Sequence, residues 1–261
     1  MDMHTFAICA YGESPFLKAC INSLMNQTAS GRIIMITSTP NRYIKEISEQ
    51  YKIPLYINAE GGIVQDWNFA YRKADTPYVT ITHQDDIYLP DYRSHLLSVL
   101  ASEEMPLIYF TDYVEIRDGK KVISNSLLRV KRAMLLPLRF KKLRHSKFVR
   151  RRILSLGSPI CCPSVTFIKR NIPEEPFTVG FRSDEDWEAW ERLSKLSGGF
   201  IYDPRKNVAH RIHEKSETSL ILQDNVRITE DYLMFCKFWP VFIAKILAKI
   251  YSASEKSNDL D

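Results

Sequence analysis

Glycine is scarce in this chain, nine in 261 residues, and no segment is repeated or of low complexity. With 45% hydrophobic residues, that composition excludes fibrous, collagenous and largely disordered classes and describes one globular α/β-sized unit. Cysteine never occurs as a CxxC pair. Cys9, Cys20, Cys161, Cys162 and Cys236 have neither zinc-site nor redox spacing, and the N-terminus lacks the charged and apolar regions of a signal peptide, so a reducing cytosol is expected. Cys9 and Cys20 fall in apolar strand and helix patterns, where a free thiol packs as a small hydrophobe. Long apolar runs are also missing. The most apolar stretch, residues 239–251, is thirteen residues long and carries Lys245 and Lys249, too short and too charged to span a bilayer but able to lie on one. Acids are absent from another stretch: Arg129 to Arg152 holds eleven Lys or Arg and no Asp or Glu.

Net charge is only +5, so this block concentrates the positive charge and asks for an anionic partner. Met134, Leu135, Leu136, Leu138, Phe140, Leu143 and Phe148 within it favour a membrane surface or lipid phosphate over bare nucleic acid. Arg150, Arg151 and Arg152 are the residues expected to face membrane or acceptor. The competing reading is a solvated, partly helical linker.

The remaining pattern alternates. Residues 5–10 predict a strand, and Ser14-Pro15 offers an N-cap and first helical residue before Phe16, Leu17, Cys20, Ile21 and Leu24 recur at helical spacing. Residues 33–37 predict a second strand, 41–51 a helix and 54–57 a third strand. Gly61-Gly62 breaks the chain before a helix with Trp67, Phe69, Ala70 and Ala74, and 78–82 is a fourth strand. Such alternation implies an α/β fold with right-handed crossovers and a mostly parallel sheet. Residues 92–102 then predict a helix, 107–111 a strand, and Asp118-Gly119 a turn into 121–123. A second half resumes near Ser158, with a strand at 164–168, a helix from about Asp184, an extended run at 199–210, a helix at 225–235, and the apolar helix named above. Only 252–261 looks disordered.

The fourth strand ends in His83-Gln84-Asp85-Asp86. A buried parallel strand delivers its C-terminal residues to the crevice where α/β sheets bind ligands, and Mg²⁺ is usually held by one or two carboxylates plus substrate phosphates. Equally, Asp86 or Asp91 serves only the next helix, since Pro90 suits a first helical position and acids suit a helix N-terminus.

Six segments then fall in a telling order: Ile8-Cys-Ala-Tyr-Gly-Glu-Ser14 with Leu17, Ser23, Leu24 and Gln27-Thr28; Asp66-Trp67-Asn68-Phe69-Ala70; His83-Gln84-Asp85-Asp86; Ser158-Pro-Ile-Cys-Cys-Pro-Ser164; Asp184-Glu-Asp-Trp-Glu-Ala-Trp190; and His210-Arg-Ile-His213. Together they resemble a family 2 glycosyltransferase of the GT-A fold, the bacterial kind that assembles surface polysaccharides. The resemblance implies a Rossmann-like central sheet with helices on both faces and a C-terminal, acceptor-side helical extension. It divides the chain into a donor half (1–125), a basic, partly helical insertion (126–157), an acceptor and catalytic half (158–238), and an amphipathic helix with tail (239–261). Tyr11, Glu13, Asn68, His83, Asp85 and Arg211 are then expected at the nucleotide sugar, and Asp85, His210 and His213 at a divalent metal, Mn²⁺ or Mg²⁺. Asp186 is the expected catalytic base, with Glu185 and Asp184 beside it. The implied reaction is inverting transfer from a nucleotide-diphosphate sugar to a hydroxyl of a lipid-linked saccharide, in the cytoplasm at the inner face of the membrane, for polysaccharide of the cell envelope. Two positions depart from the family pattern: His83 replaces the first Asp of Asp-x-Asp, and Thr37-Ser38-Thr39 stands where acids are common.

Sugar transfer sets three tasks: neutralise the leaving diphosphate, deprotonate the acceptor hydroxyl, and hold both substrates in line. A cation on Asp85, backbone amides and Arg211 suit the first, and His210 or His213 can ligate the metal or donate to the diphosphate. Asp186 suits the second, although Ser183 with Asp186 is also close to a capping box. Trp67, Phe69, Trp187, Trp190, Leu193 and Leu196 read as core. A sugar-phosphate nucleotidyltransferase would need a glycine-rich basic loop, which Tyr11-Gly-Glu-Ser-Pro is not. A non-catalytic membrane or nucleic-acid binding module leaves Asp85, Asp186, His210 and His213 without a purpose.

Overall fold

The computed structural model describes residues 2–213 and 226–258. Strands β1 (His4–Cys9), β2 (Arg32–Thr37), β3 (Leu55–Ile57), β4 (Tyr78–His83), β5 (Ile87–Tyr88), β6 (Pro106–Arg117), β7 (Lys120–Val122), β8 (Val165–Ile168) and β9 (Gly199–Ile212) form one sheet. Its order is β3-β2-β1-β4-β8-β6-β9-β5, with β7 on β6. The first four strands pair in parallel, as do β6 and β9, while β8 runs antiparallel between the two groups.

Helices cover both faces, and β1 shows why. Phe6 and Ile8 enter one core and Ala7 the other, as the two-residue period of a strand dictates. On the first face lie α1 (Leu17–Met25), α2 (Arg42–Tyr51) and α4 (Tyr92–Leu100), which bury Leu17, Ile21, Leu24, Ile44, Ile47, Leu96 and Leu100. The second face takes α3 (Ile63–Lys73) and α8 (Glu185–Ser194) through Trp67, Tyr71, Trp187 and Trp190. Asn41 caps α2, its Oδ1 accepting the Ile44 N–H at 2.9 Å. By contrast, α1 starts two residues later than Ser14-Pro15 suggested: Phe16 is its N-cap, and the Ser14 hydroxyl turns back to accept the Phe16 N–H at 3.3 Å.

The basic block does not stand off the fold. Its helices are α5 (Ser126–Leu135), α6 (Lys141–Arg144) and α7 (Lys147–Leu154); α5, α7 and the 3₁₀ turn Leu136–Arg139 bury Leu128, Leu135, Leu138, Ile153 and Leu154. Arg150, expected at a membrane, is fully buried. Its guanidinium donates to the carbonyls of Ser194 (3.0 Å), Leu196 (2.8 Å), Arg144 (3.3 Å) and Gly198, and lies 5.0 Å from the Phe200 ring. The end of α8 leaves carbonyls without helical partners, and a five-donor cation satisfies them. Arg151 pairs with Glu191 at 2.6 Å. Arg152 lies over Phe148 and Trp239.

The chain ends in α9 (Val226–Cys236) and α10 (Val241–Asn258). Disorder was expected from residue 252, yet α10 continues to Asn258; a formed helix adds one hydrogen bond per further residue, and the Ser-Ala-Ser-Glu-Lys sequence does not oppose it. Residues 259–261, and Asn225 at the start of the expected helix, lie outside the described residues. Ala244 and Ala248 face inward, whereas Phe242, Ile246 and Ile250, spaced by four, are 68%, 58% and 60% exposed. No helix among the described residues is long and apolar enough to cross a membrane.

Candidate functional site

Parallel register sets Cys9 beside His83, so the loops leaving β1 and β4 emerge together. Gln84 ties them: its Oε1 accepts the Tyr11 N–H and its Nε2 donates to the Tyr11 carbonyl, both at 3.0 Å. Gly12, at φ +58°, makes the turn after β1, and its N–H donates to the Thr39 hydroxyl at 2.8 Å. Thr39 thus braces the loop. Tyr11 and Glu13 are exposed on it.

β5 pairs Ile87 with Ala209, which lays Asp86 against the residues after Ala209. The Asp86 carboxylate is fully buried and accepts His210 Nδ1–H at 2.9 Å and the Arg211 N–H at 2.8 Å. It caps no helix, so the capping alternative is overturned for Asp86. Nor does Pro90 start α4: Asp91 is the N-cap, without a side-chain cap bond. Asp85 carries the second pair, its Oδ2 lying 3.0 Å from His213 Nε2, while its carbonyl accepts from Arg211 Nε at 3.0 Å. Phe16 supports both partners, 4.4 Å under the Arg211 guanidinium and 5.0 Å from the His213 ring. His83 stacks on Trp67 at 5.3 Å and 11°.

Charge is tuned here. Burial alone would raise Asp86, but His210, His83 and the Arg211 N–H outweigh it and its pKa is lowered. Burial would lower His210, but Asp86 and Asp85 outweigh that and its pKa is raised. For His83 burial wins, and its pKa falls despite both aspartates.

His83, Asp85 and Asp86 each bring one ligand-type atom within 4.8 Å of the others. Asp86 Oδ2 is buried with no hydrogen-bond partner, 3.9 Å from His83 Nδ1. An ionised, buried carboxylate oxygen without a partner is costly, and a divalent cation held by two carboxylates and an imidazole would satisfy it. The residues therefore fit the metal. His210 and His213 lie outside that cluster of three, each hydrogen-bonded to one of its aspartates.

Asp186, the expected base, stands half-buried in the first turn of α8. Burial pushes its pKa up to about 6, held from rising further by the Trp187 N–H and the charges of Lys131 and Arg227. The capping box does not form: Ser183 donates to Glu230 instead, and the N-cap is Asp184. Cys161, a buried thiol in the segment before β8, is pushed up by burial and then by Asp86, and further by Asp186. Its thiol thus feels the charge of both Asp86 and Asp186.

Asn68 is not part of it. Its Nδ2 donates to the Phe177 carbonyl at 2.8 Å and its Oδ1 accepts the Phe177 N–H at 3.2 Å, so both ends of the amide serve a backbone clasp. Glu185 is buried. Two residues missed in the sequence belong here. Lys131, half-buried, donates to the Tyr113 hydroxyl at 3.3 Å, and the Tyr113 ring lies 6.3 Å from that of His210; nothing marked this lysine out among eleven charges. Asp66 reaches the end of β2, accepting from Ser38 at 2.6 Å and Asn58 at 2.8 Å. The carboxylate absent from Thr37-Ser38-Thr39 is supplied there by α3.

Residues 5–175 match the family model described as Glycosyl transferase family 2. An uncharacterised glycosyltransferase of Rickettsia conorii is 24% identical over 224 residues; the match takes in 84% of this chain and 35% of that protein, so the chain spans about a third of its relative. Among solved structures, S. aureus TarS 1–349 in complex with UDP-GlcNAc is similar with a TM-score of 0.65 at 13% identity, over 94% of this chain and 70% of that one. The mannosyltransferase PcManGT from Pyrobaculum calidifontis, in complex with GDP-Man and Mn²⁺, is similar with a TM-score of 0.60 at 13% identity, over 95% and 69%. At such identity the likeness shows the fold, which is GT-A.

Proposed function

Because the chain belongs to glycosyl transferase family 2, we propose that it is an inverting, metal-dependent glycosyltransferase that moves a sugar from a nucleoside-diphosphate sugar to a hydroxyl of a lipid-linked saccharide in cell-envelope polysaccharide synthesis. The observation that carries this reading is the cluster His83, Asp85 and Asp86 with its buried, unpartnered Asp86 Oδ2. Bound there, Mn²⁺ or Mg²⁺ would supply Lewis-acid neutralisation of the diphosphate. Arg211 and His213, backed by Phe16, lie beside Asp85 and suit the same anion, while the Tyr11–Glu13 loop suits the nucleoside. Complexes of structural relatives with UDP-GlcNAc and GDP-Man support a nucleotide-sugar donor.

Asp186 is the base. Single displacement requires one group to take the hydroxyl proton as the anomeric C–O bond forms and the nucleoside diphosphate leaves. A half-buried carboxylate with a pKa of about 6 is ionised at neutral pH and still basic enough to accept it. The membrane side is assigned to α10 and α7: exposed Phe148, Phe242, Ile246 and Ile250, with Arg152, Lys245 and Lys249 nearby in sequence, suit an anionic leaflet.

The test is a panel of sugar nucleotides assayed for binding and hydrolysis with and without Mn²⁺. Metal-dependent turnover of one donor is expected. No binding and no turnover across the panel would favour a non-catalytic module.

A further inference from the structure

Helix α8 opens without a cap of its own, since its N-cap Asp184 makes no side-chain cap bond. The turn is closed from α9. Glu230 accepts the Arg182 N–H at 2.9 and 3.1 Å, the Ser183 N–H at 2.8 Å, the Ser183 hydroxyl at 2.8 Å and the Asp184 N–H at 3.3 Å. The residue is 7% exposed. Bonds from N–H groups to a buried carboxylate are charge-assisted and strong, and the first amides of a helix favour any anion close by. Asp186 is such an anion, two residues further on.

We propose that Glu230 is a positioning residue for the base: it fixes the 182–184 turn that presents Asp186 and, by occupying those amides, withholds them from the Asp186 carboxylate so that the base keeps its affinity for a proton. The proposal rests on Asp186 being the base. Other groups act on Asp186 directly: Lys131 from α5, Arg227 from α9 and the Trp187 N–H of α8 itself, while the buried thiols of Cys161 and Cys162 feel its charge. None of these closes the turn. Without Glu230 the freed amides favour ionised Asp186, and the turn loses its anchor. The base becomes weaker and less well aimed.

The experiment compares the full chain with Glu230→Gln and Glu230→Ala, using whichever of UDP-GlcNAc and GDP-mannose the parent hydrolyses. Expected for Glu230→Gln are a kcat lowered about tenfold, an unchanged donor KM, and an acid limb of the pH–rate profile moved down by about half a unit or more. Titration of the Asp186 carboxyl by ¹³C NMR should show the same downward shift even where turnover is too slow to follow. A merely structural Glu230 predicts a lower melting temperature with kcat per folded molecule, the acid limb and the Asp186 titration all unchanged, and that result overturns the proposal. An active Asp186→Asn variant would instead sink the reading of Asp186 on which it stands.

Discussion

Asp86 and His210, 124 residues apart in the chain, meet at 2.9 Å. Asp86, its pKa lowered, is an acceptor only, so His210 Nδ1 carries the hydrogen and the ring is held in one orientation. That leaves Asp86 Oδ2 and Asp85 for a cation, with asymmetric consequences for the two aspartates. With Mn²⁺ and donor at a hundred times their dissociation constant, the parent should gain roughly 2.7 kcal/mol. Asp85→Asn should lose the Mn²⁺-dependent part of that gain and keep its unliganded stability within about 1 kcal/mol. Asp86→Asn should lose it too and also be destabilised by about 1–3 kcal/mol, because His210 Nδ1–H and the Arg211 N–H lose the buried carboxylate that accepts from both. A parental Mn²⁺ response in both variants would remove the cation from this cluster.

Asp186→Asn should give a protein more stable than the parent and nearly inactive. Its pKa rises from 3.8 to about 6 on folding, so between those values the folded state holds a proton that the unfolded state has lost. Stability contributed by that proton is complete below about 4 and gone above about 6. Activity runs the other way, rising with pH through about 6 as the base ionises. Above that pH the asparagine variant should gain on the order of 1–3 kcal/mol while transfer falls roughly 10²–10⁴-fold. Thermal melts at pH 5 and pH 7.5 check the sign: a variant destabilised at both would return Asp186 to a capping role.

The three consecutive arginines should behave differently. Arg150→Ala strips four carbonyls of their donor in the core and should cost about 3–5 kcal/mol, visible as a lowered melting temperature. Arg152→Ala, at a partly exposed aromatic contact, should cost about 1 kcal/mol or less. Equal melting of the two would contradict the burial of Arg150.

Vesicle binding should depend on α10. Replacing Phe242 and Ile246 by Asp removes apolar insertion and adds repulsion, so co-sedimentation with vesicles rich in anionic lipid should fall sharply, whereas donor hydrolysis in solution should be unchanged. Parental binding should also weaken with salt, as charges are screened over about 8 Å at physiological ionic strength. Sedimentation independent of lipid charge, or unaffected by the substitutions, would remove the membrane from the reading.

The alternation of strands and helices through β4 was legible because each element's apolar period matched its burial, as Phe6 and Ile8 against Ala7 show. The acidic end of β4 was legible for the same reason. What escaped was set by contacts distant in sequence. Asn68 resembled a donor ligand until its partner proved to be the Phe177 backbone, 109 residues away. Arg150 resembled its neighbours until the end of α8 claimed it. Ser183 and Asp186 had capping-box spacing, but a better anion, Glu230, arrived from α9. In each case local pattern named a chemically competent residue, and tertiary packing chose its partner.

The position of β6 in the sheet has a consequence for how the protein is made. This twelve-residue strand finds its two long-edge neighbours in β8 and β9, both of which come later in the chain. At roughly 5–20 residues per second, a ribosome that has just finished β7 needs a further 4–17 s or so to supply β9. Until then the edge of β6 that takes β9 is bare, and Asp86 waits for His210. A chain broken before residue 199 would lack β9 altogether, leaving β5 and one edge of β6 unpaired and Asp86 without the His210 and Arg211 donors.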